Sequence, residues 1–344
     1  MRKFWLAILI FTITCSAMPA NAVDLTGTKC KKSGQTKMIL DAEYKCVKQG
    51  KKLTWKKQSS GSDIYGLLDK QIQQLAPKVS SKVSTGINLI SETPSHPRNN
   101  PNLEGSAKSL QLLRTFSSTM PDYEFYTYET VGWINNKMST SCPRLANQTE
   151  SGTNVGASVG CGKLVISNLN GWNNKVGPVS ASWFEAGHEA FHLAQYHWAL
   201  DPNNSQESKW YWGATDWYRE GGASVFAAFI TSLMNNGKTD YGTAVVFERS
   251  PYKYSECKEA WNSWQISNEP GGKGTYNNCE YGLGRRMMDL LVAKHGGITA
   301  MLNFYSELGK GSNFESAFEK AHGLTLKAFF TEAEAYMDAI GWKK

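Results

Sequence analysis

Two histidines, His188 and His192, stand four residues apart in the stretch His188-Glu189-Ala190-Phe191-His192. On a helix this spacing stacks both imidazoles on one face, one turn apart. There they can reach one Zn²⁺ while Glu189 lies beside the water it would deprotonate. This requirement constrains the fold more than any other feature. A helix must form here, and a second element must bring a third ligand while leaving one position open. The competing reading is a buried helix with two satisfied core histidines. Local signals place the motif on a helix in either case. Pro178 and then Ser180 or Ser182 provide an entry, and Ser182-Trp183-Phe184-Glu185 reads as a capping box. Phe184, Gly187, Phe191 and Ala194 recur at 3–4 spacing and form a core-facing stripe.

The third ligand is sought downstream. A histidine ligand in the extended form of the motif needs glycine three residues after His192 and histidine six after. Those positions are Gln195 and Trp198, with His197 one residue out of register, so that form is excluded. Glu220 is the better candidate. It lies in Trp217-Tyr218-Arg219-Glu220-Gly221-Gly222-Ala223-Ser224, ahead of the apolar run Val225–Ile230, which reads as a second buried helix with Asp216 as N-cap. Gly221, Gly222 and Ala223 would let the two helices approach closely. Asp216 itself, in Gly213-Ala214-Thr215-Asp216, is a rival ligand of the kind used by aspzincins, and Ser224 either orients a ligand from behind or is a packing residue.

The paired segments resemble the gluzincin metallopeptidases, the thermolysin-like clan, whose second helix supplies a glutamate as third zinc ligand. The resemblance continues through Tyr281-Gly282-Leu283-Gly284, the helical run to His295-Gly296-Gly297, and Phe314–Phe318 with His322-Gly323-Leu324-Thr325-Leu326, covering residues from about 110 to 340. It implies an α+β fold: a zincin-like mixed sheet, the active-site helix, then a mostly α-helical C-terminal part. It also implies Zn²⁺ held by His188, His192 and Glu220, Glu189 as general base, and Tyr281 as donor to the oxyanion. A strand at Gly162–Asn168 would form the sheet edge along which a peptide lies antiparallel, or else is an ordinary core strand; both readings stay open. The spacing from His192 to Glu220 exceeds that of thermolysin, so an extra loop from Asp201 to Gly213 must separate the helices.

Arg2 and Lys3, the apolar run Phe4–Ile13 and the small-x-small triplet Ala20-Asn21-Ala22 read as a secretory signal cut after Ala22, too short to span a bilayer. Cys15 raises lipidation as an alternative, though Thr14 before it is larger than the usual small residue. The remaining six cysteines, Cys30, Cys46, Cys142, Cys161, Cys257 and Cys279, are an even set, as expected of disulfides in an exported chain. Neighbour pairing (30–46, 142–161, 257–279) is the simplest scheme. No later segment qualifies as a transmembrane span.

The net charge of +7 is uneven: residues 23–58 hold ten lysines against Asp24, Asp41 and Glu43, and the rest of the mature chain is nearly neutral. Nucleic acid is therefore not expected as a partner for the whole protein. The order expected is a signal peptide (1–22), a small Lys-rich two-Cys module (23–58), a linker (59–62) and a metallopeptidase domain (63–344). The module reads as strands at Gly27–Lys32, Tyr44–Val47 and Gly50–Trp55 closed by Cys30–Cys46, either docking on wall polyanions or anionic surfaces or serving as a solvated spacer. Within the body we expect a helix at Asp63–Leu75, a loop at Thr93–Asn102, a helix at Leu110–Phe116 and a strand at Tyr123–Thr130. The tryptophans around the motif read as core and cleft walls. His197 and His295 read as surface or helix-end residues, and His322 as part of a structural turn.

The reading is thus a secreted zinc metallopeptidase acting on peptide or protein substrates. Two alternatives stand beside it: a non-catalytic envelope-binding protein with a structural or relic zinc site, and a zinc amidase acting on a non-protein wall substrate.

Overall fold

The computed structural model describes residues 25, 27–39, 42–50, 52–57, 64–79, 86–92, 101–142, 155–158, 164–168, 179–201, 203–209, 213–235, 239–245, 254–266, 279–340 and 342. The signal-like N-terminus and the linker lie outside the described residues. The fold is α+β. A three-stranded sheet of β1 (Thr36–Ile39), β2 (Ala42–Gln49) and β3 (Lys52–Lys57) is followed by α1 (Ile64–Leu75). A second sheet then alternates with helices: β4 (Ile87–Ser91), α2 (Pro101–Phe116), β5 (Tyr123–Tyr128), α3 (Val131–Ser141), β6 (Val155–Ser158) and β7 (Leu164–Asn168). The remainder is largely helical.

The first sheet differs from the expected one. Gly27–Lys32 is not a strand of the sheet; only Lys29 makes an isolated bridge, to Thr54. The hairpin partner of β2 is instead Thr36–Ile39, with Thr36 opposite Lys45. Cys30 still bonds Cys46, and Tyr44, Cys46 and Trp55 form a small core of their own. The turn between β2 and β3 places Gly50 at φ 61°, where a side chain would be strained.

The second sheet has the order β4-β5-β7-β6. The first three strands are parallel, and β6 is antiparallel to β7 with Ser158 opposite Leu164. Parallel neighbours need crossovers, and α2 and α3 are found in those positions. β5 is buried on both faces: Tyr123 and Phe125 join the main core, whereas Tyr126 and Tyr128 pack with Ile134 and Met138 of α3. Of the two readings of this segment, the core strand holds and the edge does not: β7 is paired on both sides, and among the described residues the edge belongs to β6, whose sequence Val-Gly-Ala-Ser lacks the apolar alternation that marks a strand. The helix expected to begin at Leu110 begins at Pro101, a residue suited to a first turn because its missing N–H would have no helical partner.

The helical body is built around two helices, α4 (Val179–Trp198) and α5 (Asp216–Met234). α4 starts at Val179, so Ser182 lies inside its first turn and does not cap it. Every residue of α5 from Trp217 to Leu233 except Glu220 is buried, as expected for a helix apolar all round. Between them the chain forms a hairpin of β8 (Leu200–Asp201) and β9 (Asn204–Ser208) where a plain loop was expected. α6 (Tyr241–Ala244) and α7 (Tyr254–Ile266) lead to α8 (Cys279–Lys294), α9 (Gly297–Gly309), α10 (Phe314–His322) and α11 (Leu326–Ala339). α5 packs between α4 and α8, and α2 packs on α4.

Glycine sets the closeness of both α5 contacts. A Cβ on Gly187 would stand 3.0 Å from the Ala227 Cα, so α4 and α5 nearly touch backbone to backbone beside His188. Gly221 serves a different pair: a Cβ there would lie 2.4 Å from the Gly284 carbonyl carbon, in α8. The first turn of α5 is also wedged by aromatic rings. Trp217 stacks on Phe329 at 5.6 Å and Tyr218 lies 4.1 Å from Phe304. Rings of this size each contribute about 1.5–3 kcal/mol by burial, enough to hold that turn rigidly.

Candidate metal centre

α4 and α5 bring three predicted residues together. His188 Nε2 and His192 Nε2 are 3.1 Å apart, and each is 3.2 Å from Glu220 Oε2. The three atoms thus form a nearly equilateral triangle. Both histidines are buried, and the Glu220 side chain is only 12% exposed. Their positions follow from local structure: the i, i+4 spacing puts the imidazoles on one face of α4, and Glu220 comes from the first turns of the helix crossing it.

Hydrogen bonds behind the ligands decide which ring atoms face inward. Gln195 Nε2 donates to the Arg219 carbonyl at 2.8 Å. That oxygen can only accept, so the amide nitrogen must face it and Gln195 Oε1 must face His192. His192 Nδ1 lies 2.7 Å from Oε1 and is therefore the protonated nitrogen, leaving Nε2 with a lone pair toward Glu220. His188 Nδ1 faces Ser224 Oγ at 3.4 Å, which leaves its Nε2 on the same triangle. Arg219 Nε donates to the outer oxygen, Glu220 Oε1, at 3.0 Å, while its Nη2 donates to Asp216 Oδ1 at 2.6 Å.

Burial and neighbouring charge act against each other in this cluster. Burial opposes a charged His192, yet the adjacent Glu220, with Glu189 and the Gln195 bond adding to it, raises the imidazole to about 8. Burial would push the Glu220 carboxyl up, but the two histidines hold it well below the ordinary carboxylate range. Burial likewise opposes the Arg219 charge, and Glu220 and Asp216 more than restore it.

His188, His192 and Glu220 could hold a metal ion. The triangle fits one: a tetrahedral ion bonded at about 2.0–2.1 Å spaces its ligand atoms about 3.3 Å apart. Among the described residues no other group of three such side chains converges in this way.

The other expected residues fall as follows. Glu189 is half-buried on α4, near enough to act on His192 and Tyr281. The Tyr281 ring lies 5.8 Å from that of His188; burial, followed by Glu220, Glu280 and Glu189, raises its phenol and keeps it a proton donor. Asp216 is the first residue of α5, the cap being Thr215, and its carboxylate is engaged by Arg219; the rival ligand is thus not in the triangle. Ser224 stands behind His188, with its hydroxyl 3.4 Å from Nδ1. Gln195 and Arg219 are functional neighbours that no local signal marks: Gln195 lies one turn past His192 and Arg219 beside Glu220, but what each bonds is set by the facing helix.

His322 is more than a turn residue. It accepts from the Tyr218 hydroxyl at 2.7 Å and donates to the His295 carbonyl at 2.8 Å, tying the end of α10 to the first turn of α5. Cys257 is bonded to Cys279, fixing the start of α8 two residues before Tyr281. Cys142 is also disulfide-bonded, and Cys161, its expected partner, lies outside the described residues. These bonds are consistent with an extracellular location. No described helix is long and apolar enough to cross a membrane. Comparison of the chain with family models, curated proteins and solved structures finds no match.

Proposed function

We propose that this chain is a secreted zinc metallopeptidase of the gluzincin type. The observation that carries the reading is the triangle of His188, His192 and Glu220 atoms at 3.1–3.2 Å, with Glu189 on the same helix. Two imidazoles and one carboxylate are a donor set suited to zinc with an open fourth position. A purely structural site has no need of the adjacent glutamate.

Zinc bound there would acidify water and polarise a carbonyl. Glu189 takes a proton from the attacking water as its oxygen bonds to the carbonyl carbon. It returns that proton to the amide nitrogen as the C–N bond breaks. Tyr281, kept protonated, is placed to donate to the oxygen on which negative charge develops. Arg219 holds Glu220 by its outer oxygen, so only Oε2 faces the histidines. Among the described residues β6 is the edge strand; it runs alongside α4 and is placed to pair with an extended peptide through its main chain.

The test is hydrolysis of a mixed peptide library by the zinc-loaded mature protein, read by mass spectrometry, beside Glu189→Gln. Cleavage reduced about 10²–10⁴-fold in a variant that still binds zinc is the expected result. Zinc binding without cleavage of any peptide would sink the general peptidase and favour a narrow wall substrate or a binding protein.

A further inference from the structure

We propose that Gln195 and Arg219 together form a positioning relay that assembles two of the three metal ligands from one point on α5. The inference rests on the metal-centre reading above and extends it to residues that touch no metal.

Arg219 acts twice. Its guanidinium, buried between Asp216 and Glu220, takes Glu220 Oε1 and leaves Oε2 as the single inward oxygen. Its carbonyl receives the Gln195 amide, whose oxygen then accepts from His192 Nδ1. That carbonyl lies inside α5, where helix geometry already provides it with an N–H from four residues on. α5 therefore does not require the Gln195 bond; the amide's consequence lies on its other side, at His192. Gln195 is completely buried, and an amide there costs free energy unless both its ends are bonded. Both are, one to each helix.

The geometry has a functional result. Free imidazole can carry its proton on either nitrogen, and only one arrangement leaves Nε2 able to bind a cation. Gln195 selects that arrangement, and it can do so only when the first turn of α5 is docked on α4. The orientation of His192 and the placement of Glu220 thus depend on the same residue, and the site is organised before any ion arrives. Groups that hold a ligating histidine in this way typically govern metal affinity by about 10–100-fold.

The test uses the full mature chain with Zn²⁺ alone, titrated in competition with a chromogenic chelator. Wild type is compared with Gln195→Leu, which matches the shape without the amide, and Gln195→Glu, which keeps an acceptor for Nδ1–H and, in its protonated form, a donor for the Arg219 carbonyl. We expect Gln195→Leu to bind zinc about 10–100-fold more weakly and Gln195→Glu to recover to within about threefold of wild type. The His192 Nδ1–H resonance, seen by NMR in the zinc-loaded wild type, should persist in Gln195→Glu and be lost in Gln195→Leu. Equal affinity in Gln195→Leu and wild type overturns the relay, as does equal weakness of both variants, which would mean packing alone. Should Gln195→Leu fail to fold, Gln195→Glu decides: loss of its Nδ1–H resonance refutes the inference. A folded wild type that takes up no zinc would fail at an earlier step, removing the metal-centre reading and the relay with it.

Discussion

Gly221 and Gly222 are adjacent on α5, yet replacing each with alanine should have opposite effects. A Cβ at Gly221 would stand 2.4 Å from the Gly284 carbonyl carbon, 2.5 Å from its oxygen and 2.8 Å from the Arg285 nitrogen. Carbon contacts are comfortable at about 3.5–4.0 Å, so the shortfall exceeds about 1 Å. All three obstacles are backbone, and none can rotate away. Gly284 is equally confined, since a Cβ there would lie 2.8 Å from the Trp217 carbonyl oxygen. α5 and α8 must therefore separate. Overpacking of this severity costs about 3 kcal/mol, at the upper end of the usual range, against about 1 kcal/mol gained by removing a helical glycine. A net loss of about 2 kcal/mol should lower Tm by roughly 4–8 °C. Because Glu220 is the neighbouring residue, zinc affinity should also fall. At Gly222 the same Cβ meets Met301, Phe191 and Met288 at 3.6–3.7 Å, which is ordinary contact. Gly222→Ala should be neutral or raise Tm by about 2–4 °C, with zinc affinity unchanged. Calorimetry of the metal-free proteins with chelator competition reads both effects. A Gly221→Ala protein as stable as wild type, or a Gly222→Ala protein equally damaged, would refute the packing argument.

Three further outcomes are expected. Burial depresses His322 to about 4, so below an unfolded value near 6.5 the unfolded chain takes a proton that the folded one refuses. Stability should be full above pH 6.5 and decline by about 3 kcal/mol as pH falls to 4; in His322→Gln the denaturation curves should lose that part of their pH dependence. Replacing Cys257 and Cys279 by serine opens a link of sequence separation 22, which should cost about 3 kcal/mol in denaturant melts and reduce turnover more than zinc affinity, because the start of α8 carries Tyr281. Lys45 and Lys56 lie directly opposite on β2 and β3, a repulsive pair that a polyanion would relieve; retention on an immobilised phosphate polymer should fall with salt and weaken in Lys45→Gln/Lys56→Gln, and unchanged retention would assign the lysines to solvation only.

The site was more legible in the sequence than the fold around it. The i, i+4 histidines need nothing but helical periodicity to be placed, and the apolar run after Glu220 marks a buried helix without tertiary information. Tyr281 could be located only through family resemblance, since a packing tyrosine has the same local signature. What stayed hidden depended on contacts between distant segments. Gln195 matters because of a carbonyl on another helix, and Gly221 because of Gly284 across an interface. β6 is a strand only because β7 pairs with it; Val155-Gly156-Ala157-Ser158 carries no apolar pattern of its own. In the lysine-rich sheet the cysteines and Trp55 showed that a small closed unit exists. Nothing local showed that β2 turns back onto Thr36–Ile39 and not onto Gly27–Lys32.

The account stands on one metal ion held between α4 and α5. The direct measurement is zinc stoichiometry of the chelator-stripped, reloaded protein by elemental analysis, beside His192→Ala and Glu220→Ala variants shown to be folded. One zinc per chain in the wild type, with none retained by either variant, is the predicted result. No zinc in the wild type, or one zinc still held by both folded variants, would contradict the claim that His188, His192 and Glu220 form the centre.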